Sequence, residues 1–158
     1  MAREDDPGWL TAEEKAAWTG MAALMLLLPG KLDAALRPVD LTLFEYLTLS
    51  HISEAPDRRI RMSELAFLAN GSLSRLSNVV KRFEQRGWAT RSPDPADGRY
   101  TLAELTDAGY RLVVEAAPLH VRSVRALVLD PLSPTDMRAL ARIADKMRVV
   151  HPNFSQKD

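Results

Sequence analysis

Ser63-Glu-Leu-Ala-Phe-Leu-Ala69, then Asn70-Gly71, then Ser72-Leu-Ser-Arg-Leu-Ser-Asn-Val-Val-Lys-Arg-Phe-Glu-Gln-Arg86 and Gly87 read as helix, tight turn, helix and exit. Asn70 and Gly71 both tolerate the left-handed conformation that a helix exit needs. Ser72 suits an N-cap, because its hydroxyl can accept from a free amide in the next turn. In the second helix Leu76, Val79, Val80 and Phe83 fall on one face at three- and four-residue spacing. Opposite them lie Ser74, Asn78, Lys81 and Gln85, flanked by Arg75 and Arg82 on one side and Ser77 on the other. That strip holds no carboxylate, and its side chains can bond to base edges and phosphates in a major groove. On an isolated helix the same strip would read as a solvated surface. Two helices joined by a Gly-containing turn favour the nucleic-acid reading.

The segment after Gly87 strengthens it. Trp88-Ala-Thr-Arg91 and Tyr100-Thr-Leu-Ala-Glu-Leu105 suit short strands around a charged tip, Ser92-Pro-Asp-Pro-Ala-Asp-Gly-Arg99. Asp97-Gly98 is a hairpin-turn signal, and Pro93 and Pro95 are expected to keep the tip out of regular pairing. Thr106 is the expected N-cap of a helix from Asp107. Gly87-Trp88-x-x-Arg91, then Asp94-Pro-x-Asp97-x-Arg99, then Leu105-Thr106-x-x-Gly109 resembles the wing signature of MarR-family transcriptional regulators. The resemblance extends to Met62-Ser-Glu-Leu-Ala66 and Ser72-x-Ser74-Arg75-Leu76-Ser77, and covers nearly the whole chain, from the Trp18 region through Leu132-Ser-Pro. Gly98 departs from it, standing where many members carry another arginine and leaving one fewer positive charge at the wing tip.

The resemblance implies a mainly α fold with a small β-hairpin wing: a winged helix-turn-helix with N- and C-terminal dimerisation helices. It implies a sequence-specific DNA-binding regulator, a repressor, acting as a homodimer on an inverted repeat and released by a small aromatic or anionic effector. The expected DNA contacts are Ser72, Ser74, Arg75, Asn78, Lys81 and Arg82 on the second helix, with Arg91, Asp97 and Arg99 in the wing. Trp18, Met21, Met25, Phe44 and His51 are the candidate lining of an effector pocket. The bland alternative for Trp18 and the methionines is core or interface filling. The alternative for the whole chain is a winged-helix protein–protein interaction module without DNA-binding activity.

Charge distribution bears on that choice. The 158 residues carry 21 basic and 21 acidic side chains, so the protein is not basic all over. Residues 1–56, however, balance at −5, residues 57–99 at +4 and residues 100–158 at +1. The positive field therefore lies in the stretch expected to meet phosphates. Apolar residues make up 46% and charged residues 27%, enough for a folded core. The absence of cysteine excludes disulfides, thiolate metal sites and a cysteine redox switch. The first residues do not resemble a signal peptide. The apolar run Met21 to Leu28 is shorter than the roughly 20 residues of a membrane span, so a cytoplasmic protein without a membrane partner is expected.

Three parts are expected: residues 1–39 as an N-terminal dimerisation helix, 40–106 as the winged helix-turn-helix, and 107–158 as C-terminal dimerisation helices. Thr11-Ala-Glu-Glu14 is a capping box. The helix it opens carries Trp18, Met21, Leu24, Met25 and Leu28, more apolar surface than a small domain buries. Pro29-Gly30 is expected to kink or break it, and Pro38 to push Arg37 out of the helical region. Asp40 is the expected cap of a buried helix from Leu41 to about Ile52. Glu54 to Arg59 reads as a turn, and Ile60-Arg61 as a short third strand. Pro118 predicts a bend or a one-turn break near Ala116 in the helix that starts at Asp107. Ser133-Pro134-x-Asp136 opens a last helix that Pro152 ends, leaving Asn153 to Asp158 as a tail. His51, His120 and His151 share no metal-ligand spacing. There is no phosphate loop or nucleophile elbow, and Asp94 and Asp97 are expected to be exposed. Neither an enzyme, a metal nor a cofactor is implied.

Overall fold

The computed structural model describes the backbone of residues 8–150 and side chains through residue 147. The expectations for the first residues, His151, Pro152 and the tail from Asn153 fall outside the described residues. The elements are α1 (Ala12–Leu36), α2 (Leu43–Glu54), β1 (Arg59–Arg61), α3 (Met62–Leu68), α4 (Leu73–Gln85), β2 (Ala89–Asp94), β3 (Asp97–Leu105), α5 (Asp107–Val124) and α6 (Pro134–Val150). The fold is mostly helical with one three-stranded antiparallel sheet in the order β1-β3-β2. This is the expected winged helix-turn-helix, and Ile60 pairs with Ala103 as the anticipated third strand.

The core forms where the α4 periodicity put it. Leu76, Val79, Val80 and Phe83 are buried against Leu49 and Ile52 of α2, Leu65 of α3 and Ala103 and Leu105 of β3. Caps hold the helix starts: the Ser72 hydroxyl accepts from Arg75 N–H at 3.2 Å and Thr106 accepts from Gly109 N–H at 3.1 Å. Asn70 alone takes the left-handed turn position, at φ 50°. Gly71 instead lies close against α2, where a Cβ would come 3.0 Å from the Phe44 ring.

The two ends of the wing are tied to each other. Thr106 N–H donates to the Trp88 carbonyl at 3.0 Å, and the Thr106 hydroxyl donates to the Gly87 carbonyl at 2.7 Å. Gly109 lies against the same Trp88 carbonyl, where a Cβ would come within 2.1 Å of the oxygen. The spacing Gly87-Trp88 to Leu105-Thr106-x-x-Gly109 is thus one backbone junction joining α4, the hairpin and α5.

Several local expectations are corrected. α1 runs unbroken through Pro29, and α5 through Pro118 with Ala116 fully buried. Each proline deprives a carbonyl four residues earlier, on Met25 or Val114, and both of these residues are more than half exposed. Arg37 stays helical (φ −53°, ψ −38°) because Pro38 opens a 3-10 turn, where its missing N–H costs nothing. Asp40 ends that turn in the left-handed conformation, so Thr42, in a capping box with Glu45, caps α2. The hairpin turns at Pro95-Ala96, not at Asp97-Gly98. Asp94 is buried instead of exposed: its carboxylate accepts from Ala96 N–H at 2.9 Å and pairs with Arg61 at 2.7 Å, which sets the turn early. Pro93 pairs in register with Thr101, tolerated because β2 is an edge strand.

α1 corrects the membrane argument as well. The segment Ala12–Val39 is long and apolar enough to cross a bilayer by length and composition, an 18-residue stretch within it having a mean hydropathy of 1.3. Its apolar side chains project on several sides: Trp18, Leu24, Met25 and Leu27 are about half exposed and Leu26 is 84% exposed. On α6, Met137, Leu140, Ile143 and Met147 form a second uncovered stripe.

Candidate nucleic-acid interface

α4 is the element around which charged and polar side chains gather. Ser72, Ser74, Arg75, Asn78, Lys81 and Arg82 are all exposed, as a surface-reading helix requires. Ser74, Asn78, Lys81 and Gln85 form the outward strip. The flanks differ from it, because each flanking cation is already engaged.

On the α2 side, the Arg75 guanidinium stacks 4.0 Å over the Phe44 ring and Arg82 pairs with Glu45 at 2.9 Å. Glu45 divides its oxygens: one accepts from Arg82, the other from the Thr42 amide and hydroxyl, both at 3.0 Å. Burial disfavours the charged form of Glu45, yet these donors outweigh it and hold the carboxyl below its ordinary range.

On the wing side, Arg91 is a brace. It donates to Glu84 at 2.7 Å and to the Ser77 hydroxyl at 3.2 Å, linking β2 to α4. The Arg91 hydrogen bond holds Glu84 below the ordinary carboxylate range. At the hairpin end Arg99 is 84% exposed and forks onto Asp97, with Nε to Oδ1 at 2.9 Å and an Nη to Oδ2 at 2.7 Å. That hydrogen-bonded fork lowers the Asp97 pKa and presents the guanidinium in one orientation. Asp97, expected as a DNA contact, instead engages Arg99 with its carboxylate, and Arg91 is turned inward onto Glu84.

Of the five candidate pocket residues, one lines the cleft nearest α4. A cleft of about 570 Å³ opens between α1, α2 and α4, lined by Pro29, Asp33, Thr42, Leu43, Phe44, Leu47, Arg75, Asn78, Val79 and Arg82. Of the expected set only Phe44 lines it. Trp18 and Met25 are half exposed on α1, Met21 is partly buried on α1, and His51 is partly buried on α2. Asp33, Leu43 and Leu47 escape a sequence reading because the cleft is made by packing α1 across α2 and α4. No spacing within one helix announces it. Asp33 also accepts from the Leu43 amide, tying α1 to the start of α2. Among the described residues no group of His, Asp or Glu side chains could hold a metal ion.

Comparison with known proteins agrees with this geometry. Residues 39–99 match the MarR-family model. The chain is 31% identical over 117 residues to the HTH-type transcriptional repressor Rv2887 of Mycobacterium tuberculosis, covering 74% of this chain and 82% of that protein. It is similar to the crystal structure of Sco3205, a MarR-family regulator of Streptomyces coelicolor in complex with DNA, with 41% identity and a TM-score of 0.84 over 92% of this chain and 90% of that one. AbsC, a MarR-family regulator of the same organism, matches with 37% identity and a TM-score of 0.81 over 89% of this chain and 97% of that one. With the helix-turn-helix, the braced wing and these relatives in agreement, the chain belongs to the MarR family of transcriptional regulators.

Proposed function

We propose that the protein is a homodimeric repressor that binds an inverted-repeat operator in double-stranded DNA, with α4 in the major groove and Arg99 of the wing in the adjacent minor groove. The observation that carries the reading is the carboxylate-free strip Ser74, Asn78, Lys81 and Gln85, outward on α4 and flanked by an Arg99 held in one pose by Asp97. The DNA complex of the 41% identical Sco3205 supports it. The uncovered apolar side chains of α1 and the apolar stripe of α6 supply the dimer interface, since a two-fold partner buries both at once. A bilayer suits α1 less well, because Asp33 within it is engaged with the start of α2. On this reading residues 40–106 form the DNA-binding lobe, residues 1–39 and 107–158 the dimerisation lobe, and the protein acts in the cytoplasm.

The cleft between α1, α2 and α4 is the place for an effector. Phe44, Leu43 and Leu47 offer an apolar wall, and Arg75 and Arg82 offer cations that suit an aromatic carboxylate. Such a ligand lowers operator affinity only by preferring the arrangement of lobes that does not fit DNA. A gel shift with the DNA upstream of the protein's own coding sequence, repeated with hydroxybenzoates added, tests both parts. Sequence-selective retardation is expected, with release by an aromatic carboxylate. A winged-helix protein without retardation on any DNA would be an interaction module instead.

A further inference from the structure

Leu73 is the first residue of α4 and is 54% exposed. It lies outside the hydrophobic core, so folding does not call for a leucine there. Ser72 and Ser74, whose hydroxyls lie 3.2 Å apart, flank it. First-turn helix positions favour small polar or acidic side chains, which makes an exposed leucine at this end of α4 conspicuous. It lines a groove of about 250 Å³ between α4 and the wing, together with Ser77, Arg91, Arg99 and Tyr100. Of the other apolar side chains lining it, Met62 is buried and Tyr100, 40% exposed, carries the Arg61 guanidinium 4.3 Å from its ring centre, so Leu73 is the most exposed apolar contact of that groove.

If α4 enters the major groove, the strand of DNA between helix and wing passes beside Leu73. The C5-methyl of thymine is the apolar group that the major groove displays. It projects at the groove's edge, next to the backbone of its own strand, which is the side of α4 that Leu73 occupies. We propose that Leu73 is a specificity-determining residue that packs on a thymine methyl in each half-site, deepening the DNA-binding reading on which it rests. The flanking serines can bond to either a base or a phosphate and discriminate little. A leucine discriminates, because a base without the methyl leaves it against water.

The test deletes the methyl and nothing else. Duplexes selected from randomised DNA by the intact wild-type chain serve as probes, with each thymine in turn replaced by deoxyuridine. One position per half-site should lower wild-type affinity about fourfold, and about fifteenfold when both half-sites are changed, as expected for one buried methyl at each. Leu73→Ala should bind the thymine and uracil duplexes equally while keeping its thermal midpoint. Selective binding that is indifferent to every deoxyuridine overturns the proposal and leaves the DNA-binding reading standing. A Leu73→Ala protein as sensitive to the methyl as wild type does the same. Failure to bind any selected duplex overturns both.

Discussion

Glu84 of α4 and Arg91 of β2 are joined at 2.7 Å, and the same guanidinium reaches the Ser77 hydroxyl at 3.2 Å. The wing is therefore braced to α4 by one residue expected, from sequence, to touch DNA. A brace and a phosphate contact respond differently to substitution. Arg91→Lys keeps the charge but loses the two-pronged geometry. If Arg91 is a brace, this change should weaken operator binding nearly as much as Arg91→Ala and lower stability by about 0.5–1 kcal/mol. Parallel melting and anisotropy titrations check this, and rescue of DNA affinity by lysine would restore Arg91 as a DNA contact.

Arg99 is the complementary case. Its only partner among the described residues is Asp97, and it projects into solvent. Arg99→Ala should leave the thermal midpoint nearly unchanged and weaken operator binding about tenfold or more. Asp97→Ala should give a milder loss, since the arginine keeps its charge and loses only its orientation. The two variants are compared in one gel-shift series with melting curves as the control.

Glu45 restrains Arg82 at 2.9 Å, so part of the positive charge on α4 is neutralised inside the molecule. Glu45→Gln can still cap Thr42 but no longer neutralises the guanidinium. It should raise affinity for DNA of any sequence and steepen the salt dependence by about one unit. Lys81→Ala should flatten it by about one. The slope of log affinity against log salt is the measurement, and an unchanged slope for Glu45→Gln would show that Arg82 stays away from phosphate.

His120 of α5 has a buried Nδ1 without a hydrogen-bond partner and packs its ring 4.7 Å from Tyr46 of α2. Burial holds its pKa below the ordinary 6.5. The neutral ring is therefore favoured in the folded state, and its contribution is complete above pH 6.5. As pH falls below that value the unfolded chain takes up the proton first, and stability declines until the lower folded pKa is passed. His120→Phe keeps the ring contact and removes the titration. Its stability should vary less between about pH 5 and 6.5 than that of wild type, a window above most carboxylate titrations. Equal slopes in urea melts across that window would contradict this.

Legibility in the sequence depends on the range of the interaction. The α4 core face, the Ser72 and Thr106 caps and the third strand at Ile60 are readable, because each follows from periodicity or from bonds within a few residues. Local turn propensity misplaces the hairpin turn because Arg61, far away in the chain, draws Asp94 inward. The prolines at 29 and 118 do not end their helices, since each removes a single backbone bond from a helix that packing holds on both sides of it. The cleft is invisible for the same reason: Asp33, Phe44 and Arg75 meet only through tertiary packing. Where an arginine points is likewise set by its nearest carboxylate, as Glu84 shows for Arg91.

A two-fold dimer reading DNA with one α4 per half-site is tested most directly by selecting sequences from randomised duplex DNA with the intact protein. The expected result is enrichment of an inverted repeat with half-site centres about 10 base pairs apart, bound by two chains per duplex. Enrichment of a single unrepeated motif bound by one chain, or no enrichment at all, would contradict it.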